Sequence, residues 1–290
     1  MCESFVFDPE KWQNLNFLMQ QLSRTLSFKS IGILGAGQMG GGIARVSLPK
    51  FKTTLVDANQ KALDKFKNKY DHANLTISTD IKALKNCDLI IEAVPEILDL
   101  KRSLLAQTFE TAPHAIICTN TSSLDIEKCF PKGKPALGLH FFNPVTKMPL
   151  VEVIYSNENQ TETVKQLKAF CTSIDKAPVV CKNTPGFIVN RLLVPYILDA
   201  IRLVERGDAS MKDVDQAMKL GAGYPMGPFT LADFVGLDTT LYISQGWYKD
   251  CGEAWCKPPQ LLEKLVKEKK LGLKSGQGFF RYDEAGKKMK

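Results

Sequence analysis

The chain has 290 residues, 44% hydrophobic and 24% charged, the balance of an ordinary globular protein of about two domains. This excludes a collagen-like fibre, a disordered tail and a disulfide miniprotein, and no apolar run reaches the roughly 18 residues of a membrane span. The formal charge of +7, from 38 Lys and Arg against 31 Asp and Glu, suits nucleic acid, an acidic membrane, a polyphosphate ligand or solubility alone.

Residues 1–29 read as an N-terminal extension, polar and without a clear strand. Glu3, Asp8 and Glu10 argue against a transit peptide starting at Met1, because such peptides are poor in acids. From Met19 to Ser30 there is no acid, with Arg24 and Lys29 as bases and three Ser. That stretch reads either as a short mitochondrial presequence or as a loose or helical extension.

Residues 30–183 alternate strand-length apolar runs with helical patterns. Strands are predicted over 30–35, 53–57, 88–94, 115–121, 136–142, 150–155 and 177–182. Near-continuous runs such as Ile31-Gly32-Ile33-Leu34 suit parallel strands buried on both faces. The alternation predicts an α/β domain with a doubly wound, mostly parallel sheet. After the Asn183-Thr184-Pro185-Gly186 turn, residues 184–290 change to helices over 188–205, 212–220, 229–245 and 260–270. Pro195 is expected to kink the first of them. Only 278–282 reads as strand, so the second domain is predicted to be all-α.

The first strand leads into Gly35-Ala36-Gly37-Gln38-Met39-Gly40, a G-x-G-x-x-G turn opening a helix. Gly35 permits the tight turn, Gly37 lets the backbone approach a pyrophosphate, and Gly40 lets the helix pack on the strand. The helix start offers free N–H groups to phosphates. Asp57 ends the second strand, 17 residues beyond Gly40, where a carboxylate receives the adenosine ribose and repels a 2′-phosphate. No Arg follows it, so the pattern points to NAD rather than NADP.

His140 lies at the carboxyl end of a strand in Leu139-His140-Phe141-Phe142-Asn143-Pro144, where open α/β sheets bind ligands. Glu152 sits in the apolar run Leu150-Val151-Glu152-Val153-Ile154, and a carboxylate there needs a partner. His140 on a neighbouring strand is a natural one, and Glu152 would fix its tautomer. A base of this kind takes a hydroxyl proton while hydride leaves for a nicotinamide. A lone His near an apolar strand is often structural, so these residues alone leave that role open. Ser122, after another strand, and Asn190, at the start of the long helix, are candidate substrate contacts, although taken singly such residues are usually turn and capping residues. The eight Cys form no C-x-x-C pair and read as free thiols in a reducing compartment. With three His and no H-x-x-H spacing, no metal site is expected.

The sequence resembles the 3-hydroxyacyl-CoA dehydrogenases of fatty-acid β-oxidation. The likeness is carried by GAGQMGGGIA (35–44), EAVPEILDLK (92–101), NTSSL (120–124), LHFFNP (139–144), LVEVI (150–154), TPGFIVNRLL (184–193), RLVERGDAS (202–210), KLGAGYPMGPF (219–229) and KSGQGFF (274–280). It implies a Rossmann-type NAD-binding domain followed by a helical domain for substrate and homodimer contacts. It implies His140 as general base, Glu152 as its orienting partner, and Ser122 and Asn190 on the reacting oxygen. Asn143 would help hold substrate and cofactor, and Asp57, Glu96, Lys101, Ser122 and Lys274 match NAD contacts. The reaction implied is oxidation of an (S)-3-hydroxyacyl-CoA by NAD. The expected location is the mitochondrial matrix, with the cytoplasm as the alternative.

One departure stands out. Only 22 residues separate Asp57 from Asp80, room for one helix over about 60–70, where the family carries a long helical hairpin that helps bind CoA. Lys65, Lys67 and Lys69 could supply phosphate-binding charge, but their spacing spreads them over more than one face, which favours a solvated helix. The shortening keeps two alternatives open: a dehydrogenase of a small free 3-hydroxy acid, and an NAD-binding protein without CoA turnover. A nucleic-acid role lacks a recognisable module, and no membrane partner is expected.

Overall fold

The computed structural model describes residues 28–289. The extension and presequence expected before Phe28 lie outside the described residues. Two compact units divide between Phe187 and Ile188.

The first unit carries one eight-stranded sheet in the order β3-β2-β1-β4-β5-β6-β7-β8. The strands are β1 (Ser30–Leu34), β2 (Lys52–Val56), β3 (Leu75–Ser78), β4 (Leu89–Glu92), β5 (Ile116–Thr119), β6 (Leu137–Phe141), β7 (Leu150–Tyr155) and β8 (Ala177–Lys182). Every adjacent pair is parallel except β6–β7, which is antiparallel. The helices are α1 (Gln38–Ser47), α2 (Gln60–Lys69), α3 (Leu98–Thr111), the short α4 (Ile126–Cys129) and α5 (Thr161–Ser173).

The apolar runs explain why the strands are central. Ile31, Ile33, Leu89 and Ile91 bury against one face with Ile43, Leu63 and Phe170. Leu34 and Ile90 bury against the other with Leu105, Phe109 and Ile126. A strand covered on both sides has no solvent-facing row, so its sequence does not alternate. Each such fully buried Ile or Leu contributes roughly 1.5–3 kcal/mol relative to exposure.

Strand β3 was not expected. It occupies the stretch read as a link after one helix, and pairs in parallel with β2 from Thr53↔Leu75 to Val56↔Ser78. It is short, at a sheet edge, and only partly buried, so it carries no continuous apolar run. Helix α2 matches the room available between Asp57 and Asp80, and no helical hairpin stands there.

The second unit is built from α6 (Val189–Glu205), α7 (Met211–Leu220), α8 (Pro228–Val235), α9 (Leu237–Cys251) and α10 (Gln260–Lys267). Val194, Leu198 and Ile201 of α6 pack with Phe229 of α8, Leu237 and Trp247 of α9, and Leu262 of α10. Helix α6 runs as one element through Pro195. The helix expected over 229–245 is instead two, because Gly236 turns with φ +102° between α8 and α9. The strand expected over 278–282 is replaced by isolated bridges, Gln277↔Arg281 and Tyr282↔Lys288. Here a side chain competes with the ladder: buried Asp233 accepts the N–H groups of Phe279 and Phe280 at 2.8 and 2.9 Å and the Tyr282 hydroxyl at 3.0 Å.

Candidate active site

Gly35, Ala36 and Gly37 connect β1 to α1. Gly35 has φ +109°, and a Cβ there would meet the Ala93 carbonyl oxygen at 2.7 Å. At Gly40 a Cβ would lie 1.8 Å from the Gly35 carbonyl oxygen, so the helix rests directly on the strand end. Gly37 is different: no atom lies within 4 Å of the position its Cβ would take. No side chain caps α1, so its first N–H groups are left for another acceptor. Asp57 follows β2, its Oδ2 accepting the Ala36 N–H at 2.7 Å and its Oδ1 the Asn59 N–H at 2.8 Å. Each oxygen keeps a further lone pair. An uncapped helix start, an open glycine and an adjoining carboxylate fit the pyrophosphate and ribose of a dinucleotide.

His140 and Glu152 are directly opposed in the β6–β7 ladder. Their side chains meet with Nδ1 2.7 Å from Oε2. Both are buried, His140 3% exposed and Glu152 not at all. A carboxylate on Nδ1 accepts its proton, which leaves Nε2 as the basic nitrogen of the neutral ring. Phe142 and Phe187 pack beside the imidazole, with ring centroids 4.5 and 5.6 Å away. Asn120 ties this strand to the loop after β5, its Oδ1 accepting the Phe141 N–H at 2.8 Å.

A buried ionic network shapes that loop. Lys101, 1% exposed, places Nζ 2.8 Å from Glu92 and 3.3 Å from Glu96. Glu92 also accepts the Thr119 hydroxyl at 2.6 Å. Glu96 Oε1 accepts the Thr121 hydroxyl and the N–H groups of Ser122 and Ser123, the last two at 3.0 and 3.1 Å. Burial opposes the charge on Glu96, but the Lys101 ammonium and these donors together hold its carboxyl below the usual range. One carboxylate thereby fixes the backbone of Ser122.

A cleft of about 700 Å³ opens beside the glycine turn. Gly37 and Gln38 line it with Arg45 of α1, Lys65 and Lys69 of α2, and Asn143 to Thr146 of the loop after β6. Lys65 and Lys69 are four apart and share this face, whereas Lys67 is not among the lining residues. Arg45 and Lys69 stack on the Tyr70 ring at 4.9 and 5.3 Å. Lys176, buried, holds the loop by donating to the Val145 and Met148 carbonyls at 2.5 and 2.9 Å. Burial lowers its pKa despite Asp175 nearby.

Two family models match in tandem. Residues 30–184 match the NAD binding domain of 3-hydroxyacyl-CoA dehydrogenase, and residues 186–282 match its C-terminal domain. The chain belongs to the 3-hydroxyacyl-CoA dehydrogenase family. It is 45% identical to a Caenorhabditis elegans protein named a probable 3-hydroxyacyl-CoA dehydrogenase, over 90% of this chain and 94% of that one. It is 43% identical to the mitochondrial hydroxyacyl-coenzyme A dehydrogenase of Rattus norvegicus, over 89% and 93% of the two chains. The crystal structure of (S)-3-hydroxybutyryl-CoA dehydrogenase from Ralstonia eutropha superposes with a TM-score of 0.80 at 34% identity, covering 89% of this chain and all of that one.

Within this dehydrogenase fold the expected residues fall into groups. Gly35, Gly37, Gly40 and Asp57 surround one turn, His140 touches Glu152, and Glu96 joins Lys101 to Ser122. Asn143 lines the cleft. Asn190 and Lys274 belong to the second unit, where Lys274 Nζ lies 2.6 Å from Asp238 Oδ2. Sequence reading missed Glu92, Asn120 and Lys176 as supports. Glu92 carried the same signal as Glu152, a carboxylate closing an apolar run, Leu89-Ile90-Ile91. Lys176 carried none. Among the described residues no cluster of three His, Cys, Asp or Glu could hold a metal ion.

Proposed function

We propose that this dehydrogenase oxidises (S)-3-hydroxyacyl-CoA thioesters with NAD, reversibly, in fatty-acid β-oxidation. The observation that carries the reading is the buried His140–Glu152 contact of 2.7 Å within a chain of this family. When bound, NAD would supply the hydride acceptor for oxidation at C3 of the substrate. The glycine turn and Asp57 would hold its pyrophosphate and ribose, with Glu96, Ser122 and Asn143 of the same unit in supporting contacts. Lys101 would act through Glu96, and Lys274, on the second unit, is a candidate contact by the family resemblance. His140 takes the hydroxyl proton at Nε2, and Glu152 stabilises the imidazolium that results. Asn190, on the second unit, is a candidate substrate contact by the family resemblance. Ser122, after β5, would donate a hydrogen bond to the reacting oxygen. In reduction His140 returns the proton to it.

The cleft beside α2 supports the CoA end of this reading. Arg45, Lys65 and Lys69 gather positive charge where a short α2 replaces a hairpin, and a nucleotide phosphate is the natural acceptor. Large apolar side chains exposed on the second unit, Leu192, Leu220, Phe234 and Tyr242, support a homodimer through that unit. The mammalian relatives named mitochondrial support a matrix location.

The short segment 58–79 favours one competing reading, a dehydrogenase of free 3-hydroxy acids. Purified protein assayed for NADH oxidation with acetoacetyl-CoA and with free acetoacetate separates the two. Turnover of the thioester alone is expected. Equal rates on the free acid, or NAD binding with no turnover of either, would overturn the proposal.

A further inference from the structure

The end of α9 places two thiols side by side, outside every group used above. Cys251 is the last residue of the helix, and Cys256 closes the turn that follows. Their sulfurs are 3.4 Å apart. Gly252 makes the reversal between them with φ +69°, and a side chain there would meet nothing within 4 Å. Cys256 is held in place: its Sγ donates to the Glu253 carbonyl at 3.1 Å, and its own carbonyl accepts the Ser244 hydroxyl at 2.6 Å. The turn is anchored in addition by Arg202, whose guanidinium donates to the Ala254 and Lys257 carbonyls at 3.1 and 2.6 Å. A disulfide requires an S–S distance of about 2.05 Å, so the sulfurs must close by about 1.4 Å, within reach of side-chain rotation at an exposed helix end.

The seven described cysteines differ sharply in access. Cys251 is exposed, while Cys87, Cys118, Cys129, Cys171 and Cys256 are buried and Cys181 is half-buried. Burial pushes Cys87 up to about 11 and Cys129 and Cys181 up to about 12, which suppresses their thiolates. Cys256, pushed up to about 11 by burial and then by the Cys251 sulfur, is a poor first nucleophile but stands next to one. An accessible attacking thiol with a shielded thiol in contact is the arrangement that resolves mixed disulfides.

We propose that Cys251 and Cys256 form a reversible disulfide by exchange with small-molecule disulfides, with Cys251 as the entry sulfur. The Cys251 thiolate attacks one sulfur of the incoming disulfide, forming a mixed disulfide and expelling one thiolate. The Cys256 thiolate then attacks the Cys251 sulfur and expels the second. Two protein thiols are oxidised, one small-molecule disulfide is reduced to two thiols, and the two protons pass to the leaving thiolates.

The full chain incubated with oxidised glutathione, quenched in acid and mapped by peptide mass without reduction, tests this. Wild type should yield a peptide pair joined through Cys251 and Cys256 that dithiothreitol separates. Cys256→Ser should instead accumulate glutathione on Cys251, and Cys251→Ser should leave Cys256 unmodified. Mapping reads Cys2, outside the described residues, separately. Glutathione persisting on Cys251 in wild type, no reaction at Cys251, or equal modification of Cys256 in Cys251→Ser would each overturn the proposal. Circular dichroism checks that the Ser variants fold; if either does not, the wild-type map alone decides.

Discussion

His140 and Glu152 face each other on one rung of the antiparallel β6–β7 ladder, and Nδ1 of the first lies 2.7 Å from Oε2 of the second. The ladder fixes the pair more firmly than a loop could, because register determines which side chains oppose. It also explains why a charged residue is tolerated in the middle of β7: its partner arrives from the neighbouring strand at the same height.

The pair sets the first prediction. Replacing the imidazole by an amide in His140→Gln removes the base, and Glu152→Gln removes the charge that stabilises the imidazolium. Each should lower kcat/KM for acetoacetyl-CoA reduction by at least ~10²-fold, the low end for general acid–base catalysis. NAD affinity, measured by calorimetry, should change little, because neither residue belongs to the glycine turn. Near-normal turnover in either variant would refute the assigned roles.

Two glycines six and three residues past β1 should respond differently to the same methyl group. In Gly40→Ala the new Cβ would lie 1.8 Å from the Gly35 carbonyl oxygen, and backbone must move. A loss of at least ~1–3 kcal/mol is expected, as for overpacked cores. Gly37→Ala meets no protein atom within 4 Å, so stability should stay within about 1 kcal/mol of wild type. Its methyl group instead occupies space reserved for the dinucleotide, and NAD affinity should fall at least ~10-fold. Urea denaturation and NAD titration of both variants read the contrast. A stable Gly37→Ala protein with unchanged NAD affinity would place the cofactor elsewhere.

The sheet was legible because its central strands are buried on both faces, as in Ile31-Gly32-Ile33-Leu34, and because its turns need glycine. The His140–Glu152 pair was legible because burial of a carboxylate such as Glu152 demands a partner. What escaped reading depended on tertiary context. Strand β3 has an edge position and no apolar run, so Leu75–Ser78 resembled a link. Gly236 interrupts a helical pattern whose periodicity continues on both sides. Lys65 and Lys69 share a cleft only because Asn143 to Thr146 come to face them from far along the chain.

Glu96 provides a pH test. Its folded pKa is depressed, so its contribution to stability is fully present above its unfolded value, roughly 4.3. It is lost as pH falls through the lower folded value. Glu96→Gln should therefore destabilise the protein at neutral pH by ~1.5–3 kcal/mol, the range for a hydrogen bond to a charged group. The gap between wild type and variant should narrow steadily below pH ~4.3. Urea midpoints measured across that range check it. A gap that widens toward acid would mean that the carboxyl is protonated in the native state.

The cationic cleft gives the last prediction. Arg45, Lys65 and Lys69 line one opening, and Arg45 and Lys69 are both held over the Tyr70 ring. A phosphate bound by two lysines gains charged hydrogen bonds of ~1.5–3 kcal/mol each, less what water and salt screen. Lys65→Ala with Lys69→Ala should raise KM for acetoacetyl-CoA about 10-fold, equivalent to ~1.4 kcal/mol. Neither His140 nor Glu152 lines that cleft, so kcat should hold within about two-fold, the pattern of lost uniform binding. Added salt should raise the wild-type KM more steeply than that of the double variant, because the variant has less charge to screen. A double variant with an unchanged KM would remove the cleft from CoA recognition, while leaving the base and its carboxylate partner untouched.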